Sequence, residues 1–478
     1  MGAACSEQGK GSQLEGFRRG RESRRVSTSS GFIEFDLVRM MLGPFYDLDI
    51  TSEDSKYYDL RFEQLVDALL LENQKELEND LLNDNNCQID RNTICIAILK
   101  NQKILYKILS IIRRKGIKQK YRWIIWRTLA SLEESSTLTQ PQDPPKVSRH
   151  KNSESSEQTS DEKSSQSFDF RPSNAQTMKM YSECLERVSP EDEETIPKDV
   201  MRTFRERAAF SEAEGPGLAV LSRVCRAVGA FYPRMGYVQG INFIIGFVLE
   251  VSGFAEEESW LFVVSLFRKK KNLFFALFEP QFPLVYFQIH VFWTLLNQTK
   301  PKLSEALRKI NNSNDMWLFK WFVTLFSLCL SKEFLLRAWD YIIVGDLFSP
   351  VFIALVMVRL MKKFLQNAKQ AQFTEVVRTP ELLCSHFKLY PFMKKLKVYK
   401  LSPQMKVKFI NDFESKAKKE GIECEYLIDT MKMYFSQESL SSEFEFAEDY
   451  ETLETQLTKK VEAVSTFEEG FQAEAAEN

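Results

Sequence analysis

Histidine is nearly missing from this chain. Of its 478 residues only His150, His290 and His386 are histidines, and none lies near a cysteine at metal-ligand spacing. Metal centres and histidine-based catalysis therefore have no residue set to rest on, and no metal is expected. The eight cysteines are scattered without a CxxC pair, and no secretory-signal pattern opens the chain. They are expected to be reduced thiols in a cytosolic protein. Charge of one sign is also lacking. A net charge of −2 and a pI near 6.2 give no global basic field for nucleic acid, and no nucleic-acid partner is expected. Apolar runs are interrupted before the roughly 18 residues a membrane span needs, in the greasiest region by Lys320, Lys332 and Arg337. There is no glycine-rich phosphate loop either, so the chain is not expected to bind a nucleotide or other cofactor itself.

What the chain does have is apolar mass: 44% of its residues are hydrophobic and 38 are Phe, ample for a large core. Length alone suggests two to four domains. Residues 1–30 read as a lipidated basic leader. MGAACSEQ fits the N-myristoylation pattern on Gly2, with Ser6 at the serine position and Cys5 beside it for palmitate. One acyl chain binds a membrane only marginally, and Cys5 or the cluster Arg18, Arg19, Arg21, Arg24 and Arg25 offers the second signal. The bland alternative is a disordered leader. Phosphate on Ser27, in RRVS, would weaken the basic cluster. The expected location is therefore cytoplasmic, peripheral on the cytosolic face of a membrane.

Residues 31–99 read as a helical N-terminal region, with leucine at three- and four-residue intervals over Phe62–Leu82. A second apolar helical pattern covers Asn92–Arg114. Residues 132–176 are rich in Ser, Thr, Gln, Glu, Lys and Pro and poor in large apolar side chains, so a disordered insertion is expected there. From Met178 to Lys400 helix follows helix: Ala219–Ala230, Gly240–Val251, Glu257–Arg268, Asp315–Cys329, Lys332–Ile343 and Pro350–Asn367. Glycine- and proline-bearing turns separate them. No long β-type alternation competes, and the fold class is all-α. Residues 401–438 read as a lysine-rich helical extension. The tail 439–478 is acidic and expected to be flexible.

Two segments carry the chemistry, IPKDVMRTF (Ile196–Phe204) and GYVQGINF (Gly236–Phe243). Thr195 and Pro197 look like a helix start, because proline suits the first turn. Asp199 and Arg202 then fall three apart on one face, where Asp199 can hold the arginine stem or nearby backbone, while Ile196 and Val200 face the core. Glycines at 236 and 240 flank Tyr237 and Gln239 and allow tight bends or close approach.

Ile196, Asp199 and Arg202 as IxxDxxR, with Tyr237 and Gln239 as YxQ, resemble the signature pair of the TBC domain, the helical GTPase-activating module for Rab-type small GTPases. GIKQKYRWIIW (Gly116–Trp126) upstream and KWFVTLFSLCLSKEFLLRAWDYIIVGD (Lys320–Asp346) downstream agree in the same order. The resemblance covers roughly residues 100–400 and implies a multi-helix domain over that range. It implies that Arg202 and Gln239 act in trans on a Rab-type GTPase in its GTP form. Arg202 would stabilise transition-state charge and Gln239 would position water, and the partner would carry nucleotide and magnesium. It also implies supporting or partner-binding roles for Asp199, Tyr237, Arg122 and Trp126, with ordinary packing an equal alternative for the last two. Arg337, Trp339 and Asp340 read as structural. A catalytically silent Rab-binding effector or scaffold remains the alternative function.

Overall fold

The computed structural model describes residues 102–131, 174–212, 215–269, 271–312 and 314–440. Every regular element among them is a helix. The first are α1 (Gln102–Lys115), α2 (Gln119–Ser131) and α3 (Asn174–Leu185). Next come α4 (Pro190–Val200), α5 (Pro216–Phe231), α6 (Ile241–Ser252) and α7 (Glu256–Arg268). The second half runs through α8 (Pro283–Thr299), α9 (Pro301–Ile310), α10 (Met316–Val323), α11 (Lys332–Val344) and α12 (Ser349–Leu360). Short α13 (Lys362–Leu365), α14 (Gln370–Val376) and α15 (Pro380–Ser385) lead to α16 (Leu389–Leu396), α17 (Pro403–Glu420) and α18 (Glu425–Leu440). The leader, residues 31–99, most of the expected insertion and nearly all of the acidic tail lie outside the described residues.

Proline sets many of these starts. Pro190, Pro216, Pro283, Pro301, Pro380 and Pro403 each open a helix, where a missing N–H costs nothing and a fixed φ helps. The expected start at Thr195 is displaced by this same device. Helix α4 begins at Pro190 behind Ser189, whose hydroxyl accepts from the Asp192 N–H at 3.1 Å, so Pro197 sits inside the helix near its end. Glu191, Asp192 and Glu193 in the first turn favour that earlier start through the helix dipole. Ile196 and Val200 are buried, as their spacing predicts.

Two further boundaries differ. Helix α10 stops at Val323, and Leu325 and Phe326 turn into the left-handed region at φ 44° and 67°. That conformation costs roughly 1–2 kcal/mol per residue. Both side chains are fully buried, which returns about 1.5–3 kcal/mol each. The Leu325 carbonyl also accepts from Trp339 Nε1 at 3.0 Å, so the break is held in place. The expected Pro350–Asn367 helix is interrupted at Met361, leaving α12 and α13.

The core is built around α5, which packs against α3, α4, α6 and α7. Aromatic rings join the layers: Trp126 of α2 stacks at 5.5 Å on Trp339 of α11 and meets Phe247 of α6 at 6.1 Å. One cluster of charge lies within this apolar interior. Asp340 Oδ1 accepts from Arg122 Nε at 3.0 Å and Trp126 Nε1 at 2.9 Å. Its Oδ2 accepts from the Ile117 N–H at 2.8 Å and Arg122 Nη2 at 3.2 Å. Arg337 Nη1 stands 3.8 Å from the same oxygen and donates to the Ile117 carbonyl at 2.9 Å. Gly116 passes over the cluster at φ +74°, and a β-carbon there would lie within 3 Å of both Arg337 and Asp340. Glycine is the residue that fits.

All five described cysteines, Cys184, Cys225, Cys329, Cys384 and Cys424, are buried free thiols. Burial raises the pKa of each, which keeps them protonated and unreactive. Among the described residues no His, Cys, Asp and Glu group could hold a metal ion, and no helix is long and apolar enough to cross a membrane.

Candidate functional site

Arg202 lies just beyond the end of α4, in a turn closed by its own N–H donating to the Asp199 carbonyl at 3.0 Å. Its side chain folds back on the helix. Nε donates to the Lys198 carbonyl at 3.0 Å and Nη2 to Asp199 Oδ1 at 2.5 Å. The two partners differ sharply in exposure: Arg202 is 67% accessible and Asp199 only 5%. A buried carboxylate thus holds a guanidinium that remains open to solvent. This is the preorganisation that the Asp199–Arg202 spacing suggests, with the arginine past the helix end instead of on it.

The second oxygen of Asp199 is also engaged. Oδ2 accepts from the Tyr237 hydroxyl at 3.1 Å, while the Tyr237 N–H donates to Asp192 Oδ1 at 3.2 Å. Asp192 and Asp199 stand seven apart on α4, about 10 Å along its axis and on one face. Tyr237 therefore spans that face, its backbone near the first turn and its phenol near the last. Burial, then the Cys225 thiol and Asp199, push its pKa far above the usual phenol range. The hydroxyl stays protonated and donates. Tyr237→Phe should leave a buried carboxylate oxygen short of this donor and destabilise the fold by about 1–3 kcal/mol. An unchanged urea-unfolding midpoint would show that the contact contributes nothing.

Two residues after Tyr237, Gln239 is exposed, and among the described residues its amide has no hydrogen-bond partner. Gly240 behind it adopts φ +119°, a conformation side-chain-bearing residues rarely enter. A β-carbon there would touch Val323 of α10 and Phe278. Asn242, in the first turn of α6, ties the two segments together a second time. Its Oδ1 accepts from the Gly240 N–H at 2.9 Å, and its Nδ2 donates to Thr203 Oγ1 at 2.7 Å. Thr203 in turn donates to the Asp199 carbonyl at 2.8 Å.

Asp192, Thr203 and Asn242 did not stand out in the sequence. The one available signal was a buried amide within an otherwise apolar stretch, INFIIGFV. Asp199, Tyr237, Arg122 and Trp126 are all buried and hydrogen-bonded within the domain. Arg122 and Trp126 belong to the Asp340 cluster, which is linked to α6 through the Trp126–Phe247 and Trp339–Phe247 ring contacts. Gly2 and Cys5 lie outside the described residues.

A helical domain whose buried framework presents an arginine and a glutamine from adjoining segments matches a known class. The family model of the Rab-GTPase-TBC domain matches residues 119–366, more than half of the chain, and the chain belongs to this family. It is similar to "Small G protein signaling modulator 3" of Homo sapiens, 29% identical over 154 residues, 30% of this chain and 19% of that protein. It is also similar to "Ecotropic viral integration site 5 ortholog" of Drosophila melanogaster, 26% identical over 162 residues, 34% of this chain and 20% of that one. The matched stretch is thus about a fifth of these relatives' length. Among solved structures, the Chlamydomonas flagellar RabGAP TBC domain is similar at 15% identity with a TM-score of 0.47, covering 74% of this chain and 96% of that one.

Proposed function

We propose that this chain accelerates GTP hydrolysis by a Rab-type small GTPase, lending it Arg202 and Gln239. The observation that carries the reading is the double use of Asp199. One oxygen holds the Arg202 guanidinium and the other holds Tyr237, two residues before Gln239. The Arg202 guanidinium and the segment that carries Gln239 are thereby tied to one buried anchor. Loss of rotamer freedom in a side chain as long as arginine is costly on binding, and a pre-held guanidinium reduces that cost.

On the partner, the arginine would neutralise charge spreading over the transferred phosphoryl oxygens, and the glutamine amide would hold the attacking water in line. The chain's own contribution is binding, orientation and those two groups. Nucleotide and magnesium come with the GTP form of the GTPase.

The test is single-turnover GTP hydrolysis by a panel of Rab-type GTPases with the parent chain, Arg202→Ala and Gln239→Ala. Stimulation of one or a few members, lost in both variants, supports the proposal and identifies the target. Tight binding to a GTP form with no acceleration anywhere on the panel would identify a silent effector instead.

We further propose that the leader carries this activity to the cytosolic face of a membrane through acylation at Gly2 and Cys5. Gly2→Ala should lower the membrane-bound fraction relative to the parent. A membrane-bound fraction unchanged by the loss of the N-terminal acyl chain would reject that anchor.

A further inference from the structure

The net charge of −2 conceals a segregated surface. No aspartate or glutamate occurs between Asp90 and Glu133, or between Glu381 and Asp412, whereas both stretches are rich in lysine and arginine. The fold brings them together: α16 packs against α1. Helix α1 ends in Arg113, Arg114 and Lys115, and α16 ends in Lys394 and Lys395. Lys397 and Lys400 follow directly. Partial burial and the nearby guanidiniums of Arg113 and Arg114 lower the pKa of Lys400, which places the two stretches within electrostatic reach.

Several exposed lysines elsewhere have carboxylate partners one turn away, as in Lys198–Glu194, Lys309–Glu305 and Lys418–Glu414. Lys394, Lys395, Lys397 and Lys400 are exposed, and among the described residues none of them is ion-paired. Apolar side chains are exposed between them. Val398 is 74% accessible and Tyr390 46%, while Leu389, Phe392, Met393 and Leu396 anchor the other side of α16 in the core. A solvated helix face does not require this mixture. Unpaired cations surrounding exposed apolar tips suit a surface with anionic headgroups above acyl chains.

We propose that the face bearing Lys394, Lys395, Lys397 and Lys400, with Tyr390 and Val398 at its surface, docks the folded domain on an anionic lipid bilayer. Lysines near a negatively charged leaflet each contribute modestly, and several act together. This contact is separate from any N-terminal acyl chain and does not depend on the role of Arg202 and Gln239.

The experiment uses the full chain carrying Gly2→Ala and Cys5→Ser, so that no acyl group contributes. Co-sedimentation is measured with vesicles of phosphatidylcholine alone and of phosphatidylcholine containing phosphatidylserine. The variant K394E/K395E/K397E/K400E is compared with a control, K302E/K309E/K416E/K419E, that changes the same net charge on other helices. The parent and the control should bind the phosphatidylserine vesicles alike, and the first variant should bind at least about tenfold more weakly, with an unchanged thermal melt. Tyr390→Ser with Val398→Ser should weaken binding at high salt, where headgroup attraction is screened. Equal binding by the parent and the reversal variant would overturn the proposal, as would an equal loss in the control. The acidic segment 441–478 is the competing occupant. If it covers the face, the parent will not bind vesicles at any phosphatidylserine content, and that result also overturns the proposal.

Discussion

Replacing Arg202 with alanine should lower the stimulated hydrolysis rate by about 10³-fold or more, equivalent to at least about 4 kcal/mol of barrier. Arginine supplied in trans is among the largest single contributions known in phosphoryl transfer, because the guanidinium meets charge that exists only in the transition state. The fold should lose only about 1–3 kcal/mol, because buried Asp199 Oδ1 is left without its donor while Oδ2 still accepts from Tyr237. The expected signature is therefore a collapsed rate with a modestly lowered melting temperature and retained affinity for the GTP form. A single-turnover rate within a few-fold of the parent would sink the assignment of this residue. Arg202→Lys should recover little, since an ammonium lacks the planar fork that spans two phosphoryl oxygens.

Asp340→Ala should have the opposite signature. Arg122 and Arg337 are both essentially inaccessible, at 0% and 1%, and Asp340 is the carboxylate beside them. Leaving buried cations uncompensated costs about 3–5 kcal/mol. The Trp126 indole and the Ile117 N–H would lose their acceptor at the same time. Against a usual stability of about 5–15 kcal/mol, this approaches the whole margin. The variant should unfold at markedly lower urea concentration, and its activity should fall only as the folded fraction falls. A parent-like unfolding midpoint would mean that the cluster is not formed as described.

Arg202 and Gln239 could be singled out because the pattern around them is local: two short segments that resemble the TBC signature pair. The all-α class was legible for the same reason: amphipathic repeats and turn residues act over one or two turns. The helix α8 was not anticipated. PLVYFQIHVFWTLLNQT is buried on most of its circumference, so its apolar residues do not fall on one stripe, and only Pro283 marks its start. The early end of α10 was hidden too, since it depends on Trp339 Nε1 donating to the Leu325 carbonyl across the core. The bonds that align the site join residues 38 to 45 apart, such as Tyr237 to Asp199 and to Asp192. No local pattern encodes such pairs, because they arise only when α4, α5 and α6 have packed.

Asp199 gives the two segments a common node. Mutational data at this site will not decompose residue by residue, since a substitution at 199 perturbs the guanidinium and the tyrosine together. Measured alone, it would resemble a combined defect in charge stabilisation and water placement. In a thermodynamic cycle, positions 202 and 237 should be coupled through an atom that belongs to neither of them.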